Sequence, residues 1–230
     1  MKKKITIAVD GHSSTGKSTL AKQLAQSLNF IYVDTGAMYR AVTLHAHENN
    51  LIENNSLNAE ELIKQLHQLK INFQINPENG QSEIHLNDLN IEHKIRKMEI
   101  SERVSLVAQL PEVREKLVEI QQEMGKSGGI VMDGRDIGTV VFPEAELKLF
   151  MTASPKIRAK RRFEELKAKG EKATYNQVYS NLIERDEIDS NREHSPLKQA
   201  EDAVLIDNSN LSLTEQFEVI KTLAKLRATN

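Results

Sequence analysis

A nine-residue stretch near the start of the chain has the residue types and spacing that bind polyphosphate. The segment 11–19 matches the pattern G-x-x-x-x-G-K-[ST] without a mismatch. Its two glycines allow backbone angles that other residues resist, so successive amide N–H groups can turn toward phosphate oxygens. Lys17 adds an ammonium group for the β- and γ-phosphates, and the Ser18 hydroxyl is suited to ligate the Mg²⁺ that bridges them. The pattern predicts an ATP-binding loop made of Gly11, His12, Ser13, Ser14, Thr15, Gly16, Lys17, Ser18 and Thr19.

The residues on either side of this loop predict the strand and the helix that it needs. Ile5, Ile7 and Val9 alternate with Thr6 and Ala8, as in a short buried strand, and leucines follow the loop at helical spacing. A helix that begins directly after the loop presents the positive end of its dipole to a bound anion. A glycine-rich turn without a ligand is the alternative, and the flanking strand and helix argue against it.

Four further apolar runs predict buried strands, at 30–33, 130–132, 147–151 and 203–206. Helical patterns separate these runs, an alternation that is typical of a parallel sheet. We therefore expect an α/β fold of the P-loop NTPase type, with a doubly wound, parallel, five-stranded sheet and helices on both faces. Ligands would bind at the carboxyl ends of its strands.

Residues 59–109 interrupt the alternation and are interpreted as an insertion. Segments 70–76 and 82–86 alternate apolar and polar residues around a turn that contains Asn79 and Gly80, which predicts an antiparallel hairpin. Helix starts are predicted from capping and first-turn residues. These residues are Asn58, Ser101, Pro111, Pro155, Thr174 and Ser212.

The composition argues against several classes of partner. Thirty-one Lys and Arg residues against 33 Asp and Glu residues give a net charge of −2, so no global basic field attracts nucleic acid or an anionic membrane. There is no cysteine, hence no disulfide or thiolate metal site, and no apolar run approaches the roughly 20 residues that span a bilayer. Three lysines lead directly into the first strand rather than into a signal peptide. We expect a soluble, cytoplasmic, monomeric protein.

A phosphate-binding loop alone does not name the reaction, because kinases, motor-like ATPases and GTPase switches share it. No Asn-Lys pair occurs in the sequence, which argues against a guanine-specific switch. Arginines, which bind phosphate bidentately, instead follow the strands and later helices. One predicted helix face carries Arg185, Asp189 and Arg192. These residues either form ion pairs with one another along the helix or bind a phosphate and a sugar hydroxyl of a ligand. The basic helix after 154 is either a solvated face or a lid over the phosphates.

Several motifs together resemble bacterial cytidylate kinases, over nearly the whole chain. The motifs are Asp34-Thr35-Gly36-Ala37-Met38-Tyr39-Arg40, Leu110-Pro111-Glu112-Val113-Arg114, the run from Asp133-Gly134-Arg135-Asp136 to Phe142-Pro143, and Glu184-Arg185-Asp186 through Asn191-Arg192. His12 stands where proline is usual and Thr35 where serine is usual. Neither change removes a group that the chemistry needs, because position 12 contributes mainly backbone and threonine keeps the hydroxyl.

The resemblance implies transfer of the ATP γ-phosphoryl group to CMP or dCMP, with Mg²⁺ as the metal. It implies one catalytic domain, 1–230, with a core of 1–58, 110–153 and 196–230, a nucleoside-monophosphate-binding insertion 59–109 and a helical lid 154–195. The implied catalytic residues are Lys17, Arg135, Arg158, Arg162 and Arg185. The implied CMP-binding residues are Thr35, Arg40, Ser105, Arg114, Arg135, Asp136, Arg185, Asp189 and Arg192.

Within this implied site, the residues have distinct expected roles. Arg40, Arg135 and Arg192 would bind the acceptor phosphate. Thr35, Arg185 and Asp189 would contact the phosphate or sugar. The cytosine edge would be read by Ser105, Arg114 and Asp136. Kinases for another acceptor, such as UMP, AMP or shikimate, and a nucleotide-dependent switch remain alternatives.

Overall fold

The computed structural model describes residues 3–54, 56–78, 80–168 and 170–229. The chain forms two compact units. The first combines the N-terminal segment through Tyr32 with the segment from Gly125 onward, and the second comprises Val33–Met124. Among the residues described, no helix is both long and apolar enough to cross a bilayer.

A five-stranded sheet organises the first unit. Its spatial order is β10, β9, β1, β8, β2, where β1 is Thr6–Gly11, β2 Ile31–Asp34, β8 Ile130–Gly134, β9 Leu147–Thr152 and β10 Val204–Asp207. Strand β1 runs parallel to both of its neighbours, with Val9 beside Asp133 and Gly11 beside Met151. The carboxyl ends of these three strands therefore lie at one edge of the sheet. The predicted α/β class, the five strands and their parallel pairing are confirmed.

The helices of this unit begin and end at local sequence signals. They are α1 Lys17–Leu28, α6 Pro155–Ala168, α7 Tyr175–Asn191 and α8 Leu213–Arg227, with a short helical turn at Ile137–Val141. Thr174 and Ser212 form the predicted capping boxes with Gln177 and Glu215. Apolar residues of β1, β8, β9, α1 and α8 form one buried cluster. Packing of α1 against the sheet fixes the phosphate-binding loop that joins it to β1.

The second unit combines helices with two small antiparallel sheets. In chain order it contains α2 Thr35–Glu48, β3 Ile52–Glu53, β4 Ser56–Leu57, α3 Ala59–Gln65, β5 Ile71–Ile75, β6 Ser82–Leu86, β7 Leu89–Asn90, α4 Met98–Ala108 and α5 Pro111–Gly125. The predicted hairpin is confirmed as β5 paired with β6, and β7 adds a third strand that the sequence analysis missed. The predicted turn residue Asn79 lies outside the described residues.

One predicted helix start is wrong. Helix α4 begins at Met98 rather than at Ser101, after an extended Lys97 that provides no side-chain cap. The earlier start extends the apolar face to Ile100, which is buried together with Val104 and Val107. Burial of Ile100 stabilises the additional turn more than a serine cap at position 101 would, since a cap is worth only about 1 kcal/mol.

Candidate active site

The loop between β1 and α1 has the backbone form of an anion cradle. Ser14 and Gly16 have positive φ angles of 59° and 87°, and Gly16 is the N-cap of α1. A Cβ atom at Gly11 would overlap the carbonyl oxygen of Met151, so only glycine fits beside β9. Both glycines that are predicted to shape the loop have positive φ angles, and Gly11, at 142°, is also required by its close packing against β9.

Lys17 is the first residue of α1 and has only 5% of its surface exposed. Its Nζ donates to the carbonyl oxygen of His12 at 2.8 Å. Burial, together with the positive charge of Arg135, lowers the pKa of Lys17 to about 7, against the opposing effect of Asp133 and Asp10. The ammonium is therefore held in a site that more negative charge would stabilise, as a bound polyphosphate provides.

Ser18 faces a carboxylate that the sequence analysis did not assign. Its hydroxyl donates to Asp133 Oδ2 at 2.8 Å, and the Tyr32 hydroxyl donates to Asp133 Oδ1 at 2.8 Å. Asp133 follows the apolar part of β8, and a carboxylate at the end of a buried strand was the signal that could have identified it. A hydroxyl and a carboxylate oxygen at the start of α1 form an oxygen donor set of the kind that Mg²⁺ prefers.

The first arginine of α6 is turned inward and contacts the loop. Arg158 has 3% of its surface exposed and donates to the carbonyl oxygens of Ala153 at 2.9 Å and Ser13 at 3.3 Å. Its third donor, Nη2, binds Asp186 Oδ2 at 2.6 Å. Nδ1 of His12 lies 3.3 Å from the other oxygen of Asp186. The side of α6 that carries Arg158 is therefore buried against the loop and is not solvated.

A second contact to the loop comes from Asn208, directly after β10. Its amide nitrogen donates to the carbonyl oxygen of Thr15 at 2.7 Å and to Gln216 Oε1 at 2.9 Å. Arg161 donates to the side-chain and backbone oxygens of Asn208, each at 3.0 Å. Arg162 is instead partly exposed and pairs with Glu165 on its own helix at 3.0 Å. The three arginines of α6 thus have three different environments.

A cationic group forms where β8 ends and α7 passes. Arg135 Nε donates to Asp189 Oδ2 at 2.7 Å, and Arg192 Nη1 lies 3.8 Å from the other oxygen of Asp189. Burial raises the pKa of Asp189, but the charges of Arg135, Arg185 and Arg192 more than offset this and hold it below its ordinary value. Three arginines thus act on one carboxylate, and Asp133 and Asp186 also act on Arg135. The prediction that Arg185, Asp189 and Arg192 share one helix face is wrong for Arg192, which follows the last residue of α7 as an extended C-cap. Arg192 and Arg135 nevertheless both approach Asp189.

Asp136 occupies the start of the helical turn after β8 and is buried, with 4% exposed. The turn is anchored by Asp10, whose carboxylate accepts the amide N–H of Ile137 at 2.8 Å and of Gly138 at 2.7 Å. Burial raises the pKa of Asp10 to about 7, although these two hydrogen bonds oppose the shift. Asp10 thereby fixes the backbone that follows Asp136. The sequence analysis did not single out Asp10.

Thr35 and Arg40 belong to the second unit and lie on the first turns of α2. Asp34 caps this helix by accepting the amide N–H of Ala37 at 3.0 Å. The same carboxylate binds Arg40 at 2.9 Å and Arg96 at 3.0 Å. Burial raises the pKa of Asp34, and the two guanidinium groups bring it below its ordinary value. Arg96 was not predicted, because its pairing with Asp34 crosses 62 residues of sequence.

Ser105 and Arg114, on α4 and α5, also belong to the second unit. Arg114 is buried, donates to the carbonyl oxygen of Ala108 at 3.2 Å, and lies 5.3 Å from the ring centroid of Tyr39. The cation–π contact fixes the guanidinium against α2. The predicted CMP-binding residues are therefore divided, with Thr35, Arg40, Ser105 and Arg114 in one unit and the others in the first.

Comparison with solved structures shows the fold. A protein of unassigned function from Eubacterium ventriosum matches with a TM-score of 0.51 over 96% of this chain and 98% of its own, at 10% sequence identity. Likeness at this level concerns the arrangement of strands and helices alone.

Comparison with sequences extends over nearly the whole chain. The family model described as cytidylate kinase matches residues 7–226. The cytidylate kinase of Flavobacterium psychrophilum is 58% identical over 221 residues, covering 96% of this chain and 98% of the relative. That of Parabacteroides distasonis is 57% identical over 214 residues and covers 93% of each chain. This chain therefore belongs to the cytidylate kinase family.

Proposed function

We propose that this protein transfers the γ-phosphoryl group of ATP to CMP and dCMP, giving ADP and CDP or dCDP. The observation that carries the proposal is the family match over residues 7–226. This segment contains the whole phosphate-binding loop and the three arginines near Asp189. Phosphoryl transfer needs positioning and positive charge more than covalent chemistry from the protein. The acceptor phosphate oxygen is already anionic, so no general base is required.

On the donor side, the loop amides and Lys17 hold the phosphates of ATP. The Ser18 hydroxyl, with Asp133 beside it, is the place for Mg²⁺. Among the residues described, no group of three or more His, Cys, Asp or Glu side chains is arranged to hold a metal ion. When bound, Mg²⁺ neutralises charge on the β- and γ-phosphates.

On the acceptor side, Arg40, Arg135 and Arg192 bind the phosphate of CMP, and Thr35, Arg185 and Asp189 contact its phosphate or sugar. The base is read by Ser105, Arg114 and Asp136. Support comes from the burial of Arg114 and Asp136 and from the three arginines that act on Asp189. Arg162, on the more exposed side of α6, closes over the phosphates and excludes water, which suppresses hydrolysis of ATP. Residues 59–109 and 154–195 would be the acceptor-binding insertion and the lid.

Initial rates of ADP release with CMP, dCMP, UMP and AMP as acceptors test this proposal. We expect rapid turnover with CMP and dCMP, little with AMP, and a fall in kcat on the order of 10² or more for Lys17→Ala. Rapid turnover of AMP or of shikimate instead of CMP would assign a different acceptor. Binding of ATP without turnover of any monophosphate would indicate a nucleotide-dependent switch. Monomeric state and cytoplasmic location stay predictions from composition and resemblance.

A further inference from the structure

The guanidinium of Arg158 already has partners for each of its nitrogens. Nε donates to Ala153, Nη1 to Ser13 and Nη2 to Asp186. The first two partners are backbone carbonyl oxygens, at the end of β9 and within the phosphate-binding loop. A guanidinium that is buried and hydrogen-bonded in this way is fixed in position. Three of its five N–H groups are thus committed to the loop, to the end of β9 and to Asp186.

The contact with Ser13 fixes the direction of a loop amide. In a trans peptide the carbonyl oxygen of one residue and the N–H of the next lie in one plane and point in opposite directions. Holding the Ser13 carbonyl toward Arg158 therefore turns the N–H of Ser14 to the other side of the loop. The carbonyl oxygen of His12 is held likewise by Thr15 Oγ1, at 3.0 Å. An anion cradle depends on such N–H directions, since each amide must face the same ligand.

Asp186 holds Arg158 in place, and His12 contacts Asp186 from the loop side. The Arg158 contact at 2.6 Å joins opposite charges with most of both side chains buried. His12 Nδ1 lies 3.3 Å from Asp186 Oδ1, close enough for Nδ1 to donate to this oxygen in the tautomer that carries the proton there. Phe150 packs edge-on against the imidazole at 6.5 Å between centroids. Burial raises the pKa of Asp186, but His12 and Arg158 lower it more, so the carboxylate is ionised at neutral pH.

We propose that Arg158 and Asp186 are positioning residues for the phosphate-binding loop, that they act by fixing the Ser13 carbonyl, and that His12 supports Asp186 from the loop. The group of His12, Arg158 and Asp186 is named the loop brace. It orients amide donors for ATP, whereas Arg162 is the residue of α6 that closes over the phosphates. The proposal rests on the proposed function only in that the loop binds ATP.

The test combines ATP binding by calorimetry with kinetics of Arg158→Met and Asp186→Asn. Loss of a charge-assisted hydrogen bond predicts a rise of about tenfold in both the Kd and the KM for ATP in each variant. At saturating ATP, kcat and the KM for CMP should stay within about twofold of the wild type. Because Arg158 acts through one carbonyl that Asp186 helps to hold, the double variant should be no worse than the weaker-binding single variant.

Two matched control variants distinguish loss of the loop brace from loss of charge in general. Lys160→Met removes a cation from the exposed face of α6, and Glu187→Gln removes the exposed carboxylate next to Asp186. Both should leave ATP binding unchanged. His12→Ala should weaken ATP binding about two- to threefold, and His12→Asn, whose amide can replace Nδ1 as a donor, should restore it.

Three results would overturn the proposal. A fall in kcat for Arg158→Met with normal ATP affinity would place Arg158 on the reacting phosphoryl group. Multiplying effects in the double variant would show that Arg158 and Asp186 act separately. Equal losses for ATP and CMP would show general structural damage. The calorimetric arm does not require CMP turnover, so it decides the role of the brace even if another molecule proves to be the acceptor.

Discussion

At the scale of single residues, burial and neighbouring charge determine what the site can do. Lys17 is nearly inaccessible and its pKa is lowered to about 7, while the Ser18 hydroxyl meets the Asp133 carboxylate at 2.8 Å. The type and spacing of Lys17 and Ser18 predict that they bind phosphate and Mg²⁺, and these roles stay predictions. Sequence spacing could not show that Asp133 faces Ser18, since 115 residues separate them and only the pairing of β1 with β8 brings them together.

The pKa of Lys17 predicts that ATP binding takes up a proton. At a pH of about 8 a lysine with a pKa of about 7 is mainly neutral, and phosphate charge beside it favours the ammonium form. We expect uptake of close to one proton per ATP, roughly 0.5–1, when binding is measured at that pH. Calorimetry in two buffers with different ionisation enthalpies gives the number directly. Lys17→Met should lose most of the uptake, and equal uptake by both proteins would refute the assignment.

Base selectivity can also be tested at a single residue. Cytosine presents an amino donor where uracil presents a carbonyl acceptor, so a selective site needs an acceptor there, and the buried Asp136 is the proposed one. Asp136→Asn, whose amide can donate, should narrow the CMP to UMP ratio of kcat/KM, chiefly by loss of activity on CMP. The ratio is measured by kinetics with both acceptors on one preparation of the variant. The thermal midpoint of that preparation is first shown to equal that of the wild type. If activity on both acceptors falls together, Asp136 only shapes the end of β8.

At the scale of secondary structure, the sequence predicted elements well where periodicity and capping residues agree. The five parallel strands, the hairpin of β5 and β6, and the capping boxes of α7 and α8 are confirmed. The start of α4 was predicted three residues late, because Ser101 looks like a cap while burial of Ile100 depends on tertiary packing. Asp10, Asn208 and Asp186 escaped prediction for the same reason, since their partners lie far away in sequence.

Asn208 links three elements and is expected to be sensitive to a small chemical change. It is 2% exposed, and its amide nitrogen donates to both Thr15 and Gln216. Asn208→Asp would place carboxylate oxygens opposite these two acceptors, although Arg161 could still bind one of them. We expect the free energy of unfolding to fall by about 2 kcal/mol or more, as measured by urea denaturation. Asn210→Asp, the same change at an exposed position, is the control. If both variants lower the free energy of unfolding by the same small amount, the role of Asn208 in linking these elements is contradicted.

At the scale of the whole molecule, the chain has two units that hold different residues of the predicted site. The unit that contains the five-stranded sheet holds the phosphate-binding loop, the loop brace and the arginines around Asp189, whereas Val33–Met124 holds Arg40, Ser105 and Arg114. The resemblance assigned residues on both units to the acceptor. This assignment, like that of the insertion and the lid, stays a prediction.

The central claim is that this chain is a kinase selective for cytidine monophosphates, and a competition experiment tests it most directly. Equal concentrations of CMP and UMP are offered together with limiting ATP and Mg²⁺, and the diphosphates are separated by chromatography. Their ratio at low conversion equals the ratio of kcat/KM values. An unpaired buried group costs about 1–3 kcal/mol, so we predict that CDP exceeds UDP by about tenfold or more. Equal amounts of CDP and UDP, or an excess of UDP, would contradict the account.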